Sequence, residues 1–265
     1  VNPVILAVEE INAAGGLLGH KVGYIIEDHK ANAGTALSVA RKLTEIDNVA
    51  LISTSISPAV LAALPVPEEH HVFIMTPAQH PKILQIQAFT KEFEALGEKV
   101  VSTEMFNNGD QDMRGQLNKL KGAAPDLLNI SATGPRAYGL VLKEAAELGY
   151  RPKAVIATDT LIDPQLREIA GDLASGIYYA AMDFDPKWNS TKFKPRFGYD
   201  GDAQAAMVYD GINIWFEAVK RTGSLDPVKV RDTLVKISDF PGITGTWGYK
   251  GNGEPTLMPV IKRTP

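Results

Sequence analysis

Val4-Ile-Leu-Ala-Val-Glu-Glu-Ile-Asn-Ala-Ala-Gly-Gly16, followed by Val22-Gly-Tyr-Ile-Ile-Glu27, decides how this chain is read. Val4, Ala7, Val8 and Ile11 recur at three and four, which predicts a helix over residues 3–14 with one apolar stripe. Gly15 and Gly16 end it. Residues 22–27 are apolar nearly throughout, which predicts a strand covered on both faces. A second helix is expected over 34–46, with Ala36, Val39, Ala40, Leu43 and Ile46 on its inner side, and then a strand over 49–53. Strand, crossover helix and parallel strand make a right-handed unit. Every loop after a strand then lies at one edge of the sheet, where open α/β proteins bind ligands. The first such loop is Thr54-Ser-Ile-Ser57. An open sheet would also place a strand ahead of the first helix. The sequence opens directly in that helix, as a chain beginning after processing or truncation would.

The alternation continues at intervals of about 25–30 residues, the spacing of successive crossover units. Strands are expected over 72–75, 99–103, 126–130, 154–157 and 176–181, and helices over 58–64, 84–96, 112–121, 136–148 and 165–170. Residues 183–202 read as loop or broken helix. Residues 203–222 carry a clear helical stripe in Met207, Val208, Ile212, Trp215 and Val219, and Asp226-Pro227 starts another helix. The tail reads as a hairpin of 242–247 and 257–261, turning at Asn252-Gly253.

The 265 residues are 45% hydrophobic and 22% charged, enough for a large core in one or two domains. With a net charge of −4, no basic stripe and no zinc spacing, nothing in the sequence suggests a nucleic-acid surface. With no Cys there are no disulfides and no thiolate metal ligands. No apolar run reaches the roughly 18 residues of a membrane-spanning helix.

Four polar strand ends stand out: 53–57, 76–80, 131–136 and 158–159. Hydroxyls beside the free N–H groups of a helix start suit a small carboxylate. Ser55 and Ser57 fit that role, although Ser57 ahead of Pro58 also fits a simple cap, and Thr133 has the same two readings. Asp159 ends a strand in an otherwise uncharged loop, where it can meet a ligand ammonium or merely shape a turn. His70, His71 and His80 do not make a metal site, since adjacent histidines on an extended segment point to opposite faces. Gly15-Gly-x-x-Gly19 follows a helix instead of a strand, so it lacks the geometry of a dinucleotide fingerprint. No nucleophile elbow, phosphate loop or zinc-protease motif is present, and Ser, His and Asp are not ordered into a triad.

Several of these segments resemble the branched-chain amino acid and amide type of periplasmic solute-binding protein. They are Ala7-Val-Glu-Glu-Ile-Asn-Ala-Ala-Gly-Gly16 with 22–28, Ala40-Arg-Lys-Leu43, 51–57, Thr76-Pro-Ala78, Tyr209-Asp210 and Phe240-Pro-Gly-Ile-Thr-Gly-Thr246. The resemblance implies an α/β, two-lobed type I periplasmic-binding-protein fold, each lobe a mainly parallel sheet flanked by helices. Lobe 1 is expected from residues 1–84 and 201–240, lobe 2 from 85–200 and 241–265, joined by three crossovers and closing on a small ligand. Carried over to this sequence, Ser55 and Ser57 hold the ligand carboxylate. Ala78 and His80 match the second loop of that lobe, Thr133 and Asp159 loops of the other, Asp159 facing the ligand amine. His80 stands where such proteins often carry a small hydroxyl residue. The pattern also departs in lacking a strand before the first helix, a longer segment between Ile83 and Leu84, and a shorter one near Phe193-Lys194.

The expected function is the extracytoplasmic solute-binding component of an ABC importer. It would bind an amino acid, amide or aromatic carboxylate and deliver it to the membrane permease. It would act as a monomer, periplasmic or lipid-anchored, with no cofactor, no metal and no catalysis. A ligand-sensing domain on the same fold is the alternative, and an α/β enzyme the third reading.

Overall fold

The computed structural model describes residues 1–30, 32–54, 61–75, 82–107, 109–132, 134–158, 161, 164–250 and 255–265. The chain divides into two compact units, Val1–Gln79 with Met182–Met258 and His80–Ala181 with Pro259–Pro265.

The first unit is built on the Ala203–Thr222 helix. Asp202 caps it, its carboxylate accepting from Ala205 N at 2.7 Å, and Lys220 and Arg221 sit in the last turn, where they offset the helix dipole. Ala206, Ile214, Ala218 and Val219 are completely buried along it. The Asn2–Ala13 helix lays Leu6, Ala7, Val8 and Ile11 into the same core, as its stripe predicts. The turn that follows depends on Gly16, at φ +88°, where an added Cβ would stand 2.1 Å from the carbonyl oxygen of His20. The Ala33–Arg41 helix, capped by Asn32, packs Ala36 and Ala40 on Ala63 and Val66. Pro227–Leu234 starts at the Asp226 cap, with Val230 buried.

The strands of this unit are few. Leu51–Ser53 pairs in parallel with Phe73–Met75, Leu51 opposite Phe73. The strand expected over 22–27 is not formed: the run has no regular secondary structure and joins no ladder among the described residues, and Tyr24, Ile25 and Ile26 are about half exposed. An apolar run becomes a strand only when a neighbour takes its main-chain hydrogen bonds. The stretch 183–202 is broken helix, in the pieces Pro186–Trp188, Asn189–Phe193 and Lys194–Phe197. The sequence reading puts 182–200 and 241–258 with the second lobe. In the structure Trp188, Phe193 and Trp247 share a core with Leu6, Tyr209 and Trp215, because their large apolar surfaces find cover there.

A hairpin of Phe240–Gly242 and Gly245–Trp247 closes this unit, turning at Ile243-Thr244. Of the expected second arm over 257–261, Val260 and Ile261 pair with Ala181 and Ala180 instead; Tyr249 and Pro255 form an antiparallel bridge on either side of the expected turn at Asn252-Gly253, which itself lies outside the described residues.

The second unit carries a four-stranded sheet in the order Leu127–Ile130, Ala154–Thr158, Tyr178–Ala181, Val260–Arg263. The first three strands are parallel and the last is antiparallel. The Pro135–Glu147 helix buries Tyr138, Val141, Leu142 and Ala145 in this unit's core, and Arg114–Gly122 adds Leu117. Glu144, 2% exposed, accepts from Met113 N at 2.7 Å and Arg114 Nη1 at 3.0 Å, which satisfies a carboxylate that burial alone would penalise. The strand expected over 99–103 is absent; these residues join no ladder among the described ones, and Val101 is exposed.

Candidate functional site

In the first unit the parallel register sets Ser53 beside Met75, so the segments following both strands leave the same edge of the ladder. These are the segments the sequence singles out. Ser55, Ser57, Ala78 and His80 themselves lie outside the described residues.

The second unit repeats the arrangement. Ile130 is level with Ala157 and Thr158 with Ala180, so the loops after Leu127–Ile130 and Ala154–Thr158 also start from one sheet edge. Thr133 and Asp159 lie outside the described residues, but what anchors their loops is plain. The Tyr138 hydroxyl accepts from Ala132 N at 3.2 Å, donates to Ala132 O at 3.1 Å and contacts Thr158 Oγ1. A phenol has one proton and two acceptor positions. With the proton on Ala132 O, Thr158 acts as donor, and all three contacts are satisfied. The ring is 1% exposed. One buried residue thus ties together the ends of two strands whose loops carry the candidate residues. Its place three residues beyond Pro135, reaching back over the loop, is the sequence signal for this clamp.

Gly134 turns the chain into the Pro135–Glu147 helix at φ 82° and ψ 160°, a conformation open essentially to glycine alone. Pro135 occupies the first turn, and no side chain among the described residues caps the helix. Its remaining first-turn amides face the loop side with the positive end of the helix dipole, which suits a carboxylate.

One titratable cluster of the first unit lies on its helical segments. Glu10 accepts from Tyr209 Oη at 2.5 Å and pairs with Lys192 Nζ at 3.0 Å. Burial, then the hydrogen bond to Glu10, pushes the Tyr209 phenol up to about 12. Burial works against the Lys192 charge, but the bonds to Glu10 and Tyr209 outweigh it and hold the ammonium above the usual lysine range. The cluster joins three helical segments and is structural. Among the described residues, no three His, Cys, Asp or Glu side chains converge as a metal site, and no helix is long and apolar enough to cross a membrane.

The profile of the family described as "Periplasmic binding protein" matches residues 1–83 and 83–260. The junction at 83 is where the resemblance places a longer segment. The chain is 24% identical to Leu/Ile/Val-binding protein homolog 1 of Brucella abortus over 95% of its own length and 81% of the relative's. Among solved structures it is similar to a leucine binding protein from Thermotoga maritima, with a TM-score of 0.82, 21% identity and coverage of 98% and 90% of the two chains. It is also similar to a solute binding protein of an ABC transporter from Rhodopseudomonas palustris, solved with 3,4-dihydroxybenzoic acid. There the TM-score is 0.77, the identity 21% and the coverage 99% and 86%. These likenesses establish the type I periplasmic-binding-protein fold.

Proposed function

This chain belongs to the periplasmic binding protein family, and from that premise we propose that it is the extracytoplasmic receptor of an ABC importer for a small amino acid-like carboxylate. It is a solute-binding protein and not an enzyme. One observation carries the proposal. In each unit, adjacent parallel strands end level with one another and lead into the polar segments the sequence marks out. One ligand would be contacted by both sets of loops. Ser55 and Ser57, with backbone N–H groups, would hold its carboxylate, Ala78 and His80 would border it, and Asp159 would take its ammonium, with Thr133 beside it. The loaded protein would hand the solute to a membrane permease.

An aromatic acid is the second reading. It is supported by His80, a ring in place of a small hydroxyl residue, and by the Rhodopseudomonas palustris neighbour with its dihydroxybenzoic acid. Calorimetry with leucine, its amide and 3,4-dihydroxybenzoate separates the two. On the amino-acid reading, Asp159→Asn weakens leucine binding by about 2–5 kcal/mol, because a buried ammonium loses its counter-ion. Binding of the amine-free acid is then unchanged. Equal losses for both ligands would remove the amine role, and tight binding of the aromatic acid alone would replace the first reading by the second.

A further inference from the structure

In the second unit the pairing of Leu127–Ile130 with Ala154–Thr158 ends at Ile130 opposite Ala157. Two residues further on, the N–H and the C=O of Ala132 both bond to one side chain, the Tyr138 hydroxyl, at 3.2 and 3.1 Å. Ala132 is 4% exposed, so its backbone needs partners, and the phenol takes the place of a neighbouring strand. Tyr138 is the fourth residue of the Pro135–Glu147 helix. Helical side chains tilt toward the N-terminus of their helix, which carries the phenol back to Ala132. The contact with Thr158 Oγ1 extends the tie to the end of the adjacent strand. Packing alone does not call for the hydroxyl. The ring belongs to the core with Val141, Leu142 and Leu166, and phenylalanine would fill the same space with no polar atom to satisfy. The two groups that the hydroxyl holds have significant neighbours in sequence: Ala132 directly precedes Thr133, and Thr158 directly precedes Asp159.

Given the solute-binding role proposed for the chain, we infer that Tyr138 is a positioning residue of the ligand site, whose hydroxyl fixes the departures of the loops after Leu127–Ile130 and Ala154–Thr158 relative to each other. Tyr138 is 1% exposed and acts through Ala132 and Thr158, not by touching the solute. The two loops then meet a ligand as one preorganised unit. Binding to loops already held in place costs less ordering entropy than binding to loops that settle independently. Removing the hydroxyl keeps the ring in the core but releases both loops, so the loss shows in the affinity of the folded protein. A tyrosine that served the core alone would change stability and leave affinity as it is.

The test compares wild type, Tyr138→Phe, Thr158→Val and the double variant, with Val141→Ala in the same helix and core as the control for general loosening. Calorimetric titration with leucine and with 3,4-dihydroxybenzoate, well below the Tm of each variant, gives Kd for folded protein. Tyr138→Phe is expected to raise the Kd of the probe that wild type binds about tenfold. The double variant should be no weaker than Tyr138→Phe alone, because both changes cut the same tie. Val141→Ala should lower the Tm and leave Kd unchanged. In the ligand-free protein, hydrogen exchange at the Ala132 amide should quicken at least about tenfold in Tyr138→Phe. An unchanged Kd in Tyr138→Phe, an equal loss in Val141→Ala, independent losses that multiply in the double variant, or unchanged exchange at Ala132 would each overturn the positioning role. A wild type that binds neither probe is a failure of the transport reading and takes the positioning role with it. A wild type that binds, beside a Tyr138→Phe variant that binds equally well, is a failure of the positioning role alone.

Discussion

Asp210 shows how much one buried carboxylate can organise. It is 1% exposed and accepts from Ile243 N at 2.9 Å, Thr244 N at 2.8 Å, Thr244 Oγ1 at 2.6 Å and Trp247 Nε1 at 3.2 Å. The hairpin at 240–247 is thereby moored to the Ala203–Thr222 helix. Asp210→Ala would strand these donors out of water, and a loss of about 2–4 kcal/mol in urea unfolding is expected. Tyr209, the neighbouring residue, contributes to the alkaline limit, alongside Tyr249, whose phenol burial also raises to about 12. The Tyr209 phenol is near 10 when unfolded and is raised to about 12 when folded. A raised value means that its contribution is fully present below pH 10 and is lost as the pH climbs through 12. The Tyr209 contribution to that loss is about 2–3 kcal/mol across the window. Tyr209→Phe should show a distinctly shallower loss, measured as tryptophan-fluorescence unfolding midpoints from pH 9 to 12. The sequence placed Tyr209-Asp210 in a motif; the partners of each could not be read there, since they lie well beyond one helical turn, Lys192 17 residues from Tyr209 and Ile243 33 from Asp210.

Among the elements, helices are legible because their signal is local. The Ala203–Thr222 helix and the Asp226 start match their sequence expectations to the residue. Asp and Pro at a helix start act within one turn, and an apolar stripe needs no particular partner to form. Strands failed where their partner was not in place, at 22–27 and 99–103. Close approach between elements is likewise a tertiary matter. In the second unit a Cβ on Gly139 would lie 2.5 Å from Ile169 Cγ2, so the Pro135–Glu147 and Pro164–Ala170 helices meet at a glycine. Gly139→Ala is expected to cost about 1–3 kcal/mol by overpacking, despite its better helix propensity. Adding Ile169→Ala should recover most of that loss, and a double-mutant cycle in urea measures the coupling. Additive losses would mean that the helices do not meet there.

At the scale of the molecule, the two units have separate cores, and the reporters divide conveniently between them. All three tryptophans, Trp188, Trp215 and Trp247, belong to the first unit. Fluorescence therefore follows that unit alone, while exchange at Leu127–Ile130 and Ala154–Thr158 follows the second. A ligand contacted by loops of both should stabilise both, by about 2.7 kcal/mol at a concentration near 100 times Kd. Protection confined to one unit would contradict the proposed two-sided binding mode.

By itself the sequence determined the class of fold, most of the helices with the Asp226 cap, and the strand ends that lead into polar segments, because periodicity, capping and turn chemistry act over a few residues. Only the tertiary structure decided which apolar runs became strands, that Tyr138 clamps two strand ends, that Asp210 anchors a hairpin and that residues 182–200 pack with the first core. Each of these depends on groups far apart in sequence meeting at hydrogen-bond or van der Waals distance. No local pattern encodes that meeting, since the same apolar or polar residue serves equally well until its partner arrives.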